Sequence, residues 1–123
     1  MVKILIAEDS DMMRRIAKMS LEKGGYQVLE ATNGLEAVDI ASKEMPSAIL
    51  LDAEMPEMDG WEACKTIKSN PLTAGIPVLM CTGHDLSEEA DLLTSSGANG
   101  YITKPYNPAQ MIEKVSKLLK GEV

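Results

Sequence analysis

The chain has 123 residues, 45% of them hydrophobic, which suits one ordinary domain with one core and excludes a disordered chain. Its 19 acids against 12 Lys and Arg give a formal charge of -7, which argues against sequence-independent binding to nucleic acid and leaves most charges as a solvated acidic surface. No apolar run approaches the roughly 18 residues that suggest a membrane span, and the stretch ILIA after Met1 is broken at once by Glu8 and Asp9, too short for a signal peptide.

Along the chain, VKILIA (Val2 to Ala7) reads as a short buried strand. Met12, Met13, Ile16, Met19 and Ser20 then recur at helical spacing, which predicts a helix with a mainly buried, Met-rich face, and KGGY (Lys23 to Tyr26) stops it with glycine. YQVLEA (Tyr26 to Ala31) reads as a second strand. NGLEAVDIASKEM follows as a helix with Leu35, Val38, Ala41 and Met45 along one face, ended by Pro46. SAILLD (Ser47 to Asp52) is the third strand. Asp59 and Gly60 open a helix through about Ser69, with Asp59 as N-cap, and NPLTAG is a loop. IPVLMCT (Ile76 to Thr82) is the fourth strand. DLSE (Asp85 to Glu88) fits a capping box before a helix closed by Gly97. GYITK (Gly100 to Lys104) is the fifth strand. Asn107 and Pro108 then start a last helix as N-cap and N1, with Met111, Val115, Leu118 and Leu119 facing inward to about Lys120. Cys64 and Cys81 are spaced neither as a metal motif nor as a disulfide framework, and read as reduced, small apolar residues of a cytoplasmic protein.

Strands alternating with helices over short connections predict βαβ units, a parallel sheet and an α/β domain with helices on both faces. Ligands of such sheets bind at the carboxyl ends of the strands. The first strand delivers Glu8 and Asp9 there, the third Asp52, the fourth Thr82 and the fifth Lys104. Converging carboxylates repel unless a cation compensates them, and a hard divalent ion with oxygen ligands does so: Mg2+, or Mn2+ in its place. His84 is the only histidine, so no zinc set exists. Lys104 and Thr82 supply an ammonium and a hydroxyl for an anion beside the metal. Metal, lysine and hydroxyl around one carboxylate are what phosphoryl transfer to that carboxylate needs, and Asp52, at a rigid strand end, is the candidate nucleophile. Glu57 reads as a solvated loop charge, and Glu54 is close enough to overhang the site.

These residues resemble a family. The acidic pair Glu8-Asp9, the run DAEMPEMDG from Asp52, CTG around Thr82 and YITKP from Tyr101 to Pro105 are similar in order and spacing to the CheY-like receiver domain of two-component response regulators. The resemblance covers essentially the whole chain. It implies a flavodoxin-like, doubly wound five-stranded parallel sheet of order 2-1-3-4-5. It also implies that Asp52 accepts a phosphoryl group from a phosphohistidine on a histidine kinase or phosphotransfer protein. Glu8, Asp9 and Asp52 would bind Mg2+, with the Glu54 backbone carbonyl as a further ligand. Thr82 and Lys104 would bind phosphoryl oxygens, Thr82 and Tyr101 would move together as the switch, and the Lys104–Pro105 bond would be cis. Glu54 and His84 occupy two variable positions that tune the phosphoryl lifetime. An output protein would read the surface of the fourth helix, fifth strand and fifth helix. The family often has two aspartates in the acidic pair, so Glu8 brings a longer arm.

The expectation is therefore a stand-alone receiver over residues 1–123 with no output domain, a signalling switch rather than an enzyme. Two other functional readings compete, and a third alternative concerns context, a receiver excised from a longer regulator. One is a receiver-like interaction domain that does not use phosphate, against which Asp52, Thr82 and Lys104 argue. The other is a small Mg2+-dependent phosphohydrolase, which would want an aspartate where Glu54 stands and more chain for a cap domain.

Overall fold

In a computed structural model, described here for residues 2–83, 86–104 and 107–121 with only the backbone of 86–89, the elements are β1 (Lys3–Ala7), α1 (Asp11–Lys23), β2 (Gln27–Ala31), α2 (Gly34–Glu44), β3 (Ala48–Asp52), α3 (Gly60–Ser69), β4 (Val78–Thr82), α4 (Leu86–Ser96), β5 (Gly100–Thr103) and α5 (Pro108–Leu119). The five strands form one sheet of order β2-β1-β3-β4-β5, every pair parallel. The expected architecture and strand order are both present.

The three central strands are apolar on both faces because helices cover both. Alternate residues sort into two cores. Ile4, Ile6, Ala48, Leu50, Leu79, Cys81 and Ile102 pack under α1 and α5, against Ala17, Leu21, Met111, Val115 and Leu118. Leu5, Ala7, Ile49, Leu51, Val78 and Met80 pack on the opposite face, against Ala37 and Ala41 of α2 and Ala63, Cys64 and Ile67 of α3. Each fully buried Leu or Ile contributes about 1.5–3 kcal/mol relative to exposure, so these strands form the rigid centre of the domain.

The predicted N-caps Asp59 and Asn107 are present, and Ser10 and Asn33, not singled out from the sequence, cap α1 and α2 in the same way. Ser10, Asn33, Asp59 and Asn107 each accept a hydrogen bond at the N-cap, from the N–H of Met13, Glu36, Glu62 and Gln110 respectively, and Pro108 sits in the first turn. Glu36 reaches back to the N–H and hydroxyl of Thr32, and these bonds, the backbone one first, hold its carboxyl below the usual range. The Asp85–Glu88 capping box lies outside the described residues.

Two predicted helix faces are corrected. In α1 the buried stripe is Ala17, Ser20 and Leu21, while Met12, Ile16 and Met19 are exposed. In α2 it is Gly34, Ala37 and Ala41, and Leu35 and Met45 are exposed. The strands already supply the large aliphatic groups, so these helices approach the sheet through small residues and turn their bulkier apolar side chains aside. Surface apolar residues are common enough to be tolerated. The strands also begin one or two residues later than predicted, at Lys3, Gln27, Ala48 and Val78, and β5 ends at Thr103.

Two glycines set how closely the helices approach the sites above the sheet. A Cβ on Gly60 would lie 2.1 Å from the Asp52 carbonyl oxygen, and one on Gly34 would lie 2.1 Å from the Met58 carbonyl oxygen. Both obstacles are backbone and cannot rotate away. Gly60→Ala and Gly34→Ala should each lower stability by about 2 kcal/mol or more, whereas Gly75→Ala, with nothing within 4 Å of its Cβ, should stay within about 0.5 kcal/mol. Urea denaturation of the three variants checks this.

Candidate functional site

Period-two arithmetic brings three polar residues together. Glu8 lies two residues beyond Ile6, Asp52 two beyond Leu50, and Lys104 two beyond Ile102, and all three predecessors belong to the core under α1 and α5. At the carboxyl ends of β1, β3 and β5, therefore, one face of the sheet carries two acids and a lysine. β4 stands between β3 and β5, and Cys81 is the register partner of Asp52. That small residue leaves room for the Lys104 arm to cross β4. Burial pushes the Cys81 thiol up to about 12, so it is inert at neutral pH.

Lys104 Nζ lies 2.7 Å from Asp52 Oδ1 and 2.9 Å from Glu8 Oε1. Glu8 and Asp52 are 4% and 6% exposed, so one ammonium holds two nearly buried carboxylates. Burial disfavours the charged lysine, but its hydrogen bonds and ion pairs with Asp52 and Glu8 outweigh that and raise its pKa above the ordinary lysine value. The Glu54 N–H donates to Asp52 Oδ1 at 3.4 Å, and the Ser10 N–H donates to Glu8 Oε2 at 3.1 Å. Arg14 Nη1 donates to the Glu8 carbonyl at 2.8 Å. Asp9 is exposed at the rim.

Ligand oxygens of Glu8, Asp9 and Asp52 all lie within 4.8 Å of one another. They open on a cleft of about 440 Å³ lined also by Ser10, Met13, Glu54, Gly83 and Lys104. Three carboxylates face one ammonium, and every donor in the set is a hard oxygen. The donor set therefore fits Mg2+ or Mn2+ and does not fit zinc or copper.

Strand alternation puts Thr82 and Tyr101 elsewhere. Met80, paired with Tyr101, belongs to the core under α2 and α3, and Thr82, paired with Thr103, continues that face. Thr82 is 2% exposed, and its carbonyl accepts from the Lys104 N–H at 2.7 Å. Tyr101 is half-buried, with Lys114 Nζ of α5 5.2 Å from its ring centroid. Thr82 and Tyr101 thus share a face of the sheet, and Lys104, adjoining Thr82 through its N–H, is on the other. Asp59 caps α3 as expected, Glu57 is exposed with φ 70°, and Glu54 is exposed beside Asp52. His84 and Pro105 lie outside the described residues. Sequence reasoning missed Arg14, which holds the Glu8 carbonyl; its only signal was the i,i+3 spacing from Asp11, to which Nη2 donates at 2.6 Å.

The response regulator receiver domain family matches residues 4–116. The chain is 35% identical over 118 residues to the alkaline phosphatase synthesis transcriptional regulatory protein PhoP of Bacillus subtilis, covering 96% of this chain and 48% of that protein. It spans about half the length of the curated relatives it matches. The structure of chemotaxis protein CheY4 of Vibrio cholerae superposes with a TM-score of 0.91 at 30% identity, covering 96% of this chain and 98% of that one. The receiver domain of sensor histidine kinase PA1611 of Pseudomonas aeruginosa, whose active-site cleft holds a coordinated magnesium ion, gives 0.90 at 25% identity over 97% and 98%.

Lys104→Met should destabilise the metal-free protein by about 1–3 kcal/mol, less than a fully buried pair because the lysine side chain is 23% exposed. Since folding raises the Lys104 pKa, its contribution is complete below the ordinary value of 10.5 and is lost as pH rises through the folded value. The gap between parent and variant should hold from neutral pH to about 10 and close above it, as read by urea denaturation at each pH.

Proposed function

The chain belongs to the response regulator receiver domain family, a phosphorylation-dependent switch of two-component signalling, and we propose that Asp52 is its phosphoryl acceptor. The observation that carries this is the nearly buried Asp52 carboxylate, 2.7 Å from Lys104 and within 4.8 Å of the Glu8 and Asp9 oxygens.

An Asp52 oxygen attacks the phosphorus of a phosphohistidine in line. The O–P bond forms as the N–P bond breaks, and the imidazole leaves with the bonding electrons and takes up a proton. Glu8, Asp9 and Asp52, with the Glu54 backbone carbonyl, would hold Mg2+, which when bound neutralises charge on the transferring oxygens. The partner's histidine supplies the phosphoryl group, and this chain's residues supply position and charge, so the catalysis is of the domain's own phosphorylation and, with water as acceptor, of its dephosphorylation. Lys104 already bridges the acids and needs only a short shift to reach a phosphoryl oxygen. Glu54, exposed at the rim beside Asp52, would tune the lifetime of the phosphoryl group, and His84, outside the described residues, is the second position proposed for that role.

The switch runs through the strand end. A phosphoryl group on Asp52 draws the Thr82 hydroxyl toward it, and Tyr101, on the same face, turns into the vacated space. Support for this comes from their shared face and from the Thr82 carbonyl receiving the Lys104 N–H. The surface of α4, β5 and α5 then presents one of two pre-existing forms to an output protein. The kinase approaches at the cleft, where Met13 lines the wall and Met12, Ile16 and Met19 continue an exposed apolar strip along α1. No described helix is long and apolar enough to cross a membrane. The buried, unpaired Cys64 and Cys81 support a cytoplasmic setting.

Incubation with Mg2+ and acetyl phosphate should add one phosphoryl group to the parent and none to Asp52→Asn by intact mass. An adduct of equal extent on the variant rules out Asp52, and no adduct on either favours a phosphate-independent interaction domain. Ile16→Ser with Met19→Ser should slow transfer from a partner's phosphohistidine about tenfold, the scale of one lost apolar anchor, and leave labelling by acetyl phosphate unchanged.

A further inference from the structure

Glu8 and Asp9 are joined by a single peptide, and the direction of that peptide sets the direction of both side chains. Glu8 has other anchors: its N–H donates to the Ala31 carbonyl at 3.1 Å, and its carboxylate meets Lys104 and the Ser10 N–H. Asp9 is exposed and takes its bearing from the backbone. The carbonyl of the joining peptide accepts from Arg14 Nη1 at 2.8 Å.

The guanidinium that makes this bond is itself fixed. Its Nη2 donates to Asp11 Oδ1 at 2.6 Å, in the first turn of α1, and its Nε donates to Glu30 Oε1 at 3.2 Å, on β2. The Arg14 side chain is 14% exposed. Lys18 pairs with the other oxygen of Glu30 at 3.3 Å, and the Glu8 carbonyl is not among its partners. A planar fork with donors pointing three ways suits this task, and an ammonium does not.

We propose that Arg14 is a positioning residue for divalent-cation binding: it locks the Glu8–Asp9 peptide so that both acids face Asp52 across the cleft. The proposal rests on the reading of Glu8, Asp9 and Asp52 as the metal ligands. Its sign is diagnostic. As a bare positive charge near three carboxylates, Arg14 opposes the entry of another cation, and removing it would tighten binding. As an anchor of the ligand backbone it favours entry, and removing it weakens binding.

Calorimetric titration of the full chain with MgCl2, alongside thermal unfolding of each variant, separates the two. Arg14→Ala should raise the Mg2+ Kd about tenfold. Arg14→Lys, which keeps the charge and loses the fork, should weaken binding in the same direction. Lys18→Ala, which removes an equal charge from the same Glu30, should stay within about twofold. Parent-like or tighter binding by Arg14→Ala overturns the proposal, as does parent affinity in Arg14→Lys or equal weakening in Lys18→Ala. Should Arg14→Ala fail to fold, Arg14→Lys decides by the same criterion. A parent that binds no Mg2+ overturns the metal reading and this proposal with it, whereas a binding parent with an indifferent Arg14 overturns this proposal alone.

Discussion

The site depends on one electrostatic imbalance: among the described residues, three carboxylates meet at the end of a parallel sheet with a single ammonium among them. Glu8 and Asp52 are nearly buried, and Lys104 lies within 3 Å of an oxygen of each. Like charges held this close would push the strand ends apart unless a cation sits with them. The lysine supplies part of that cation from within the chain, and on the proposed reading a divalent ion would supply the rest. In the proposed reaction a phosphoryl group would arrive as a new anion in a cluster built around two kinds of positive charge, and the balance would be redrawn with each change of state. That makes this corner of the domain responsive while the core below it stays fixed.

Holding such a cluster takes a rigid frame. The two cores beneath and above the sheet lock the strands by their alternating aliphatic residues, so the strand ends cannot slide relative to one another. The α3 N-terminus presses on the Asp52 backbone through Gly60, and α2 presses on the β3–α3 loop through Gly34, whose N–H donates to the Met58 carbonyl at 3.0 Å. Arg14 closes the remaining side by tying the acid pair to α1 and β2. The small Cys81 matters for the same reason: a larger side chain at that register would block the path of Lys104 across β4.

Much of this was legible in the residues. Short continuous apolar runs ending in Glu8, Asp52, Thr82 and Lys104 named the strands, and the polar endings named the site. The caps Asp59 and Asn107 were readable because Asp and Asn before a helix act over three residues of sequence, whereas Ser10 and Asn33 went unremarked. The misread faces were those of α1 and α2. Their apolar residues recur at helical spacing on more than one stripe, and which stripe meets the sheet depends on how closely the helix can approach it. Ala17 and Ala37 allow close approach; Met12, Ile16 and Leu35 do not, and they end outside. Arg14 went unseen because its partners Glu8, Asp11 and Glu30 converge only when β2 lies beside β1.

The sequence by itself determined the fold class, the order of elements, the caps of α3 and α5 and the chemical kinds of residue at each strand end, because these follow from apolar patterning and local hydrogen bonding within a few residues. Only the tertiary structure decided which of those ends share a face. Thr82 and Lys104 both close the sheet at its carboxyl end, yet alternation across neighbouring strands gives Lys104 to Asp52 and Glu8, and gives Thr82 to the side of Tyr101. Ion pairs such as Lys104–Glu8 join residues 96 positions apart. Their geometry is a product of register and helix approach, which depend on how all five strands pack together rather than on any local stretch of chain.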